Sequence, residues 1–429
     1  MGTTLLIRGG RVIDPAQAID QVADVLITGE TIAGCGPGLR APAGAEVIEA
    51  AGLIVAPGLI DMHVHLREPG REEAETIATG TAAAVAGGFT AVACMPNTTP
   101  ALDNDGEIEF VLRRAQRDAQ CRVYPIGALT KNRAGEELAE IGLMVRAGAV
   151  GFSDDGAGVA DAGVCLKAMR YVSMFGKLFI QHCEDAALAA AGVMNAGPTA
   201  TRLGLPGLAA LAEEVMIERD LALARAAGVR YHVAHISTAG AVELVRRAKA
   251  AGQAVSAEVC AHHLVLTDEA CAGYDTNCKM SPPLRSAADV AACRAGVADG
   301  TIDCLVTDHA PHTAAAKQLE FAQAPMGIIG LETAVPLFVE ALIETGVVDW
   351  PRLVAALSAR PAELLGVAGG TLQVGSVADV TVIDPAREWT IDAGSFRSKS
   401  RNTPFDGRRV RGRAVRTIVS GQTRYVLED

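Results

Sequence analysis

Between residues 57 and 310, short apolar runs alternate with longer segments whose apolar positions recur every three or four residues. That alternation is the pattern of βαβ units, in which a buried parallel sheet is covered by amphipathic helices. The short runs are LIDMHV (59–64), FTAVACM (89–95), CRVYPIG (121–127), AVGFS (149–153), KLFIQH (177–182), RYHVAHI (230–236), AVSAEVC (254–260) and IDCLVTD (302–308). Eight is the number that closes a (β/α)8 barrel. The segments between them, such as EEAETIATGTAAAVAGG (72–88) and AGAVELVRRAKAAG (239–252), are rich in alanine and end in glycine, as helices do. Both flanks read differently. Residues 1–55 carry brief alternations of apolar and polar positions (TLLIRGGRVID, VADVLITGETIAGCG), and residues 369–429 repeat the style (LQVGSVADVTVID, RRVRGRAVRTIVSGQTRYV). The expected organisation is a barrel over 56–368 and one small domain of antiparallel strands built from both ends of the chain.

Composition narrows the classes. With 38 Lys and Arg against 50 Asp and Glu the net charge is -12, which excludes the basic footprint of a nucleic-acid or anionic-membrane partner. An anionic metabolite stays possible, because one buried arginine outweighs a diffuse surface field. No stretch approaches the length of a membrane span, and the four-residue apolar stretch near the start is too short for a signal peptide. The ten cysteines form no C-x-x-C pair, and several (Cys94, Cys260, Cys304) sit within apolar strand runs. They read as buried thiols of a cytoplasmic protein.

Barrel enzymes place their chemistry at the C-terminal ends of the strands. Read in order, those ends carry His63 and His65, Asn97, a polar TKN, Asp154 and Asp155, His182, His235, His262 and His263, and Asp308. Residues two apart in a strand face one side, so His63 and His65 point together and form a natural chelate. An isolated H-x-H equally suits a hydrogen-bonded turn; its position at the end of a barrel strand, with ligand types at four other strand ends, favours a metal. Asp154 and Asp155 offer a carboxylate able to bridge two ions, while D-G is also a turn dipeptide, so one of the two can serve the turn alone. His182 and His235 fall in the barrel-facing register. His232 has the opposite parity and reads as structural, and one of His262 and His263 reads as packing or orienting a neighbour. Asp308 can instead cap a helix, but beside a metal-acidified water it can accept a proton and return it to a leaving amine, which is the chemistry of amide hydrolysis.

Together these residues make the chain resemble the amidohydrolase superfamily, and within it the bacterial class I dihydroorotases. The motifs are DMHVHLREPG, ACMPNT, GFSDDG, HCED, HISTAG, PPLR, TDHAPH, GIIGLET, GSVADVTVID and SKSRNTPF, in order along essentially the whole chain. The resemblance implies a (β/α)8 barrel with a β-sandwich formed by both termini and one or two zinc ions at the barrel mouth. It implies that His63, His65 and Asp155 hold one ion and Asp155, His182 and His235 the second, with Asp308 close to the metal as general acid and base. Arg67 and Asn97 would meet the substrate carboxylate, and Arg67, two residues past His65, offers the planar fork suited to it. Ser281, His312 and the backbone around Met326 and Gly327 would surround the ring. The implied reaction is reversible cyclisation of N-carbamoyl-L-aspartate to L-dihydroorotate in pyrimidine biosynthesis, by a homo-oligomer and in some relatives beside aspartate carbamoyltransferase.

Two departures are visible. The family commonly has asparagine before PPLR where this chain has Ser281, so one substrate contact is expected to be shorter-armed or water-mediated. Many superfamily members bridge their metals with a carbamylated lysine at strand four; the aspartate here argues against hydantoinase-like or allantoinase-like enzymes. Retention of all four ligand histidines and Asp308 argues against a non-catalytic scaffold subunit. The segment 312–326 follows the last strand and has the length of a lid.

Overall fold

The computed structural model describes residues 4–428. All eight expected strands form, as β1 (Leu59–Val64), β2 (Phe89–Cys94), β3 (Arg122–Gly127), β4 (Gly151–Phe152), β5 (Leu178–Gln181), β6 (Arg230–Val233), β7 (Val255–Cys260) and β8 (Cys304–Val306). They pair in sequential order in one parallel sheet. The ends of that sheet meet. Val64 bridges His309 in parallel, and His65 N–H donates to His309 O at 2.9 Å. Closure is reinforced within the sheet, because Asp61 accepts from Thr307 Oγ1 at 2.6 Å.

The strands are buried along their whole length apart from a few edge positions, and the helices cover them with short aliphatic side chains. Several helix starts are specified locally by a capping side chain. In Ile77–Ala86, for example, the Thr76 hydroxyl accepts from Thr79 N–H and the Thr79 hydroxyl returns a bond, a capping box that satisfies two donors left free at a helix start.

The two ends of the chain meet in a second sheet of eight strands: Thr4–Asp14, Ile19–Thr28, Thr31–Gly36, Glu46–Glu49, Ile54–Pro57, Val380–Thr390, Arg409–Val419 and Gln422–Val426. Ile54–Pro57 is the seam, pairing antiparallel with Val380–Ile383. The sheet is not wholly antiparallel as its sequence suggests: Thr4–Asp14 runs parallel to both Glu46–Glu49 and Ile54–Pro57. A bulge between Ile7 and Gly10 lets one strand serve both neighbours. This sheet has its own core, including Leu5, Val25, Ile27, Val380 and Ile418. Thr381 and Thr417 hydroxyls fasten it to the barrel by donating to Gly88 O and Val85 O at 2.6 and 2.7 Å.

All ten cysteines are free thiols and nine are buried, as their apolar contexts suggested. Among the described residues no helix is long and apolar enough to cross a membrane.

Candidate metal centre and active site

Side chains from β1, from the segment after β4, and from the ends of β5, β6 and β8 converge at the C-terminal mouth of the barrel. Asp155 stands at the middle. Its Oδ1 lies 3.4 Å from His63 Nε2, 3.5 Å from His235 Nε2 and 3.7 Å from His182 Nδ1, and its Oδ2 lies 3.6 Å from His65 Nε2. Asp308 Oδ1 is 2.8 Å from His65 Nε2 and 3.6 Å from His63 Nε2. His182 Nδ1 and His235 Nε2 are 2.8 Å apart. Two overlapping triads result, His63 with Asp155 and His235, and His63 with His65 and Asp308, each with ligand atoms within 4.8 Å of one another.

Whether these residues suit a metal is decided by two atoms. His63 Nε2 and Asp155 Oδ1 are buried, face each other, and have no hydrogen-bond partner. A buried polar atom left unpaired costs free energy comparable to a lost hydrogen bond, and two that converge fit a shared cation. The donor set, imidazole nitrogen with carboxylate oxygen, is that of zinc and related divalent ions.

The electrostatics tell the same story in protons. Burial disfavours the charged His63 ring, but Asp155, Asp308 and Glu258 outweigh it and raise its pKa well above the usual value. His182 is also raised, burial being outweighed by Asp155. Burial works to raise the Asp155 carboxyl and loses to His63, His182 and His235, which hold it well below the ordinary range; Asp308 is lowered by His63 and His65 in the same contest. Without an ion, the raised His63 and His182 favour holding protons beside the carboxylates. A metal does the same work with a fixed charge.

The backbone is bent to make this geometry. Arg67, His235 and Asp308 all lie in the left-handed region, at φ of 60°, 31° and 45°. Such conformations cost non-glycine residues roughly 1–3 kcal/mol and gather where function requires them. The bend at His235 also corrects a parity reading. His232 points the same way as the site, its Nε2 3.1 Å from Glu258 Oε2 beneath His63, and His235 reaches the mouth only because the chain turns after Val233. The His232 Nδ1 meets Ser256 Oγ at 2.7 Å.

The pair Asp154 and Asp155 divides cleanly. Asp154 accepts from the backbone N–H groups of Leu129 and Thr130 at 2.8 and 3.1 Å and from the Thr130 hydroxyl, fixing the turn after β3. Asp155 is left to face the histidine cluster, and Arg133 clasps its carbonyl at 2.5 Å.

A cavity of about 310 Å³ opens over the cluster, lined by His65, Arg67, Asn97, Asp155, His182, His235, Ser281, Asp308, His312 and Met326. Arg67 is anchored by Nε donating to Pro311 O at 3.1 Å. Asn97 is turned inward, its Oδ1 accepting from His65 Nδ1 at 2.8 Å, so it orients a candidate ligand as well as lining the cavity. His312 Nε2 donates to Met326 O at 2.8 Å. Burial and the neighbouring Arg67 charge depress its pKa to about 3, leaving a neutral ring. Gly327 is beneath: at φ 154°, a Cβ there would sit 2.7 Å from the His312 ring. Asn402, from SKSRNTPF, ties the wall together by donating to Ala310 O and Gly327 O and accepting from His312 N–H, each at 3.0 Å.

The segment 312–326 is anchored rather than free-standing. Lys317 Nζ donates to Thr276 O and Pro325 O, and Lys279 Nζ to Ala322 O and Ala324 O. Of the histidine pair, His263 orients a neighbour, its Nε2 donating to Pro282 O at 2.9 Å.

Several participants escaped the sequence reading. Glu258, fully buried on β7, lies 2.5 Å from His63 Nδ1; the available signal was a lone carboxylate inside an apolar strand. Arg71 and Glu184 line the cavity, Glu184 accepting from the Ser281 hydroxyl at 3.3 Å. Asp61 is held by Thr307, and burial pushes its carboxyl up to about 7.

A family model described as dihydro-orotase-like matches residues 52–241. A protein named dihydroorotase from a Geobacter species is 52% identical over 421 residues, covering 98% of this chain and 99% of its own. One of the same name from Pelotomaculum thermopropionicum is 53% identical over 425 residues, 99% of each. Among solved structures, the L-hydantoinase (dihydropyrimidinase) of Arthrobacter aurescens superposes with a TM-score of 0.88 at 27% identity, over 100% of this chain and 98% of that one. The dihydropyrimidinase of Brevibacillus agri gives 0.86 at 26% identity, over 98% and 95%. A shared barrel with a terminal β domain, and about half of all positions identical from end to end, place this chain in the dihydroorotase family of metal-dependent cyclic amidohydrolases.

Proposed function

We propose that this chain is a class I, zinc-dependent dihydroorotase, closing N-carbamoyl-L-aspartate to L-dihydroorotate and reopening the ring in reverse. The observation that carries the reading is the juxtaposition of a buried cationic fork, Arg67, with a cluster holding two unpartnered, converging metal-ligand atoms, in one cavity. A cyclic amide bearing a free carboxylate needs both. Asp155 at the strand-four position, in place of a bridging lysine, supports the class I assignment.

His63, His65 and Asp155 would hold one ion and Asp155, His182 and His235 the other. Bound there, a divalent ion acidifies water and polarises a carbonyl. The remaining work belongs to the protein. Arg67 meets the carboxylate that survives in the ring, with Asn97 beside it. Asp308, ionised at neutral pH, takes a proton from the attacking water in the hydrolytic direction and delivers it to the ring nitrogen as the carbon–nitrogen bond breaks. In the synthetic direction the ureido nitrogen attacks the carbon of the protonated carboxyl to form that bond, and Asp308 accepts the nitrogen's proton and passes it to the departing hydroxyl, which leaves as water. His312, neutral and held by Met326 O, closes the far wall.

The test is hydrolysis of dihydroorotate by the purified protein, with metal content measured on the same sample and hydantoin and allantoin as competitors. Turnover confined to dihydroorotate and lost in Asp308→Ala is the expected result. Preferential turnover of hydantoin by a zinc-loaded sample would replace the substrate assignment.

A further inference from the structure

Beneath the metal cluster lies a second, wholly buried layer of polar side chains. Glu258 is its centre and is 0% exposed. Its Oε1 is 2.5 Å from His63 Nδ1 and accepts from the His235 backbone N–H at 3.3 Å; its Oε2 is 3.1 Å from His232 Nε2, whose Nδ1 meets Ser256 Oγ at 2.7 Å. One carboxylate thus touches the side chain of one candidate ligand and the main chain of another, from strands 195 residues apart in one case and 23 in the other.

Burying a carboxylate this deeply is costly unless it is paired. Nothing in the cavity needs it: Glu258 does not line the space above the cluster. Its placement is explained by what it does to His63. An ionised carboxylate can only accept, so the ring nitrogen facing it must carry a proton. With Nδ1–H committed to Glu258, the lone pair of the neutral ring is on Nε2, the unpartnered atom that faces Asp155 and Asp308. The alternative tautomer would turn an N–H toward the ion and a lone pair toward a carboxylate, two repulsions at once.

We propose that Glu258 is a positioning residue for the metal centre: it locks His63 as its Nδ1–H tautomer, steadies His235 through the main chain, and adds a third buried negative charge beside Asp155 and Asp308. This rests on the metal-centre reading above. Partners of this kind typically contribute 10–100-fold to metal affinity. On the far side, Glu258 Oε2 lies 3.1 Å from His232 Nε2, and the His232 ring is in turn placed by Ser256 Oγ.

The experiment is a zinc titration of metal-stripped protein against a chromophoric chelator, for wild type, Glu258→Gln and Glu258→Leu, with folding checked by thermal unfolding. Zinc affinity should fall about 10–100-fold in Glu258→Gln, which keeps size and an accepting oxygen but loses the charge, and further in Glu258→Leu. In zinc-loaded wild type labelled with 15N-histidine, an exchange-protected Nδ1–H proton at low field should be present and should move or vanish in Glu258→Gln. A folded Glu258→Gln protein that binds zinc as tightly as wild type overturns the proposal, as does a zinc-loaded wild-type spectrum in which His63 carries its proton on Nε2. If neither variant folds, the wild-type spectrum alone decides. Wild type that binds no zinc would overturn the metal-centre reading itself, and this inference with it; activity is not required for any of these readouts.

Discussion

Replacing Arg67 with methionine removes the charge and keeps most of the stem. Arg67 is 5% exposed, with Nε engaged by Pro311 O, and its Nη groups bond to no described residue while the side chain lines the cavity. Two donors are therefore free for a carboxylate. Hydrogen bonds to charged groups contribute about 1.5–3 kcal/mol each, so two at the lower bound come to about 3 kcal/mol, or roughly 100-fold in kcat/KM. Burial and the neighbouring Arg71 lower its pKa only to about 10, so the guanidinium is charged at pH 8 and the advantage fades only as pH rises through about 10. The assay compares kcat/KM for dihydroorotate with that for dihydrouracil, the same ring without the carboxylate, at pH 8 with zinc content matched. Arg67→Met should lose roughly 100-fold on dihydroorotate and change little on dihydrouracil. An equal loss on both would show that Arg67 shapes the cavity without meeting the carboxylate.

Asp308→Asn preserves the size of the group 2.8 Å from His65 while removing its basicity, and should lower kcat about 10²–10⁴-fold with zinc content retained; steady-state kinetics with metal analysis checks it. Gly327→Ala places a Cβ 2.7 Å from the His312 ring at φ 154°, so it should raise KM and cost about 1–3 kcal/mol in denaturant unfolding, read together on one preparation. For metal-stripped protein, the raised pKa values of His63 and His182 predict stability that is fully present below their unfolded value and lost as pH rises through the folded ones. The depressed Asp155 and Asp308 predict the opposite limb, stability present above the unfolded carboxylate value and lost as pH falls through the folded one. Thermal melts from pH 2 to 10 should show the alkaline limb in full and the acid limb setting in below about pH 4, with excess zinc flattening the alkaline one.

By itself the sequence determined the barrel, the pairing of its two ends into a β domain, and the positions where chemistry is placed. These follow from local rules: the period of apolar residues selects strand or helix, and a strand end in a parallel barrel opens on one face. His63, His65, the pair Asp154 and Asp155, His182, His235 and Asp308 were legible because each ends or follows a strand, and the resemblance to a known family favoured Asp155 within the pair. Tertiary structure alone decided the rest, because it depends on atoms far apart in the chain or on backbone bends that no period encodes. The turn after β3 claims Asp154 and leaves Asp155 for the cluster. A left-handed residue at His235 brings it to the mouth and sends His232 beneath. Asn402 reaches Ala310, 92 residues away, to hold the wall behind His312. Glu258, one carboxylate in an apolar strand, gains its meaning only when the closed barrel sets it against His63. A strand's pattern says which side chains are buried; which buried polar atoms meet is settled by closure, since their mutual satisfaction is a property of the packed interior and not of either segment.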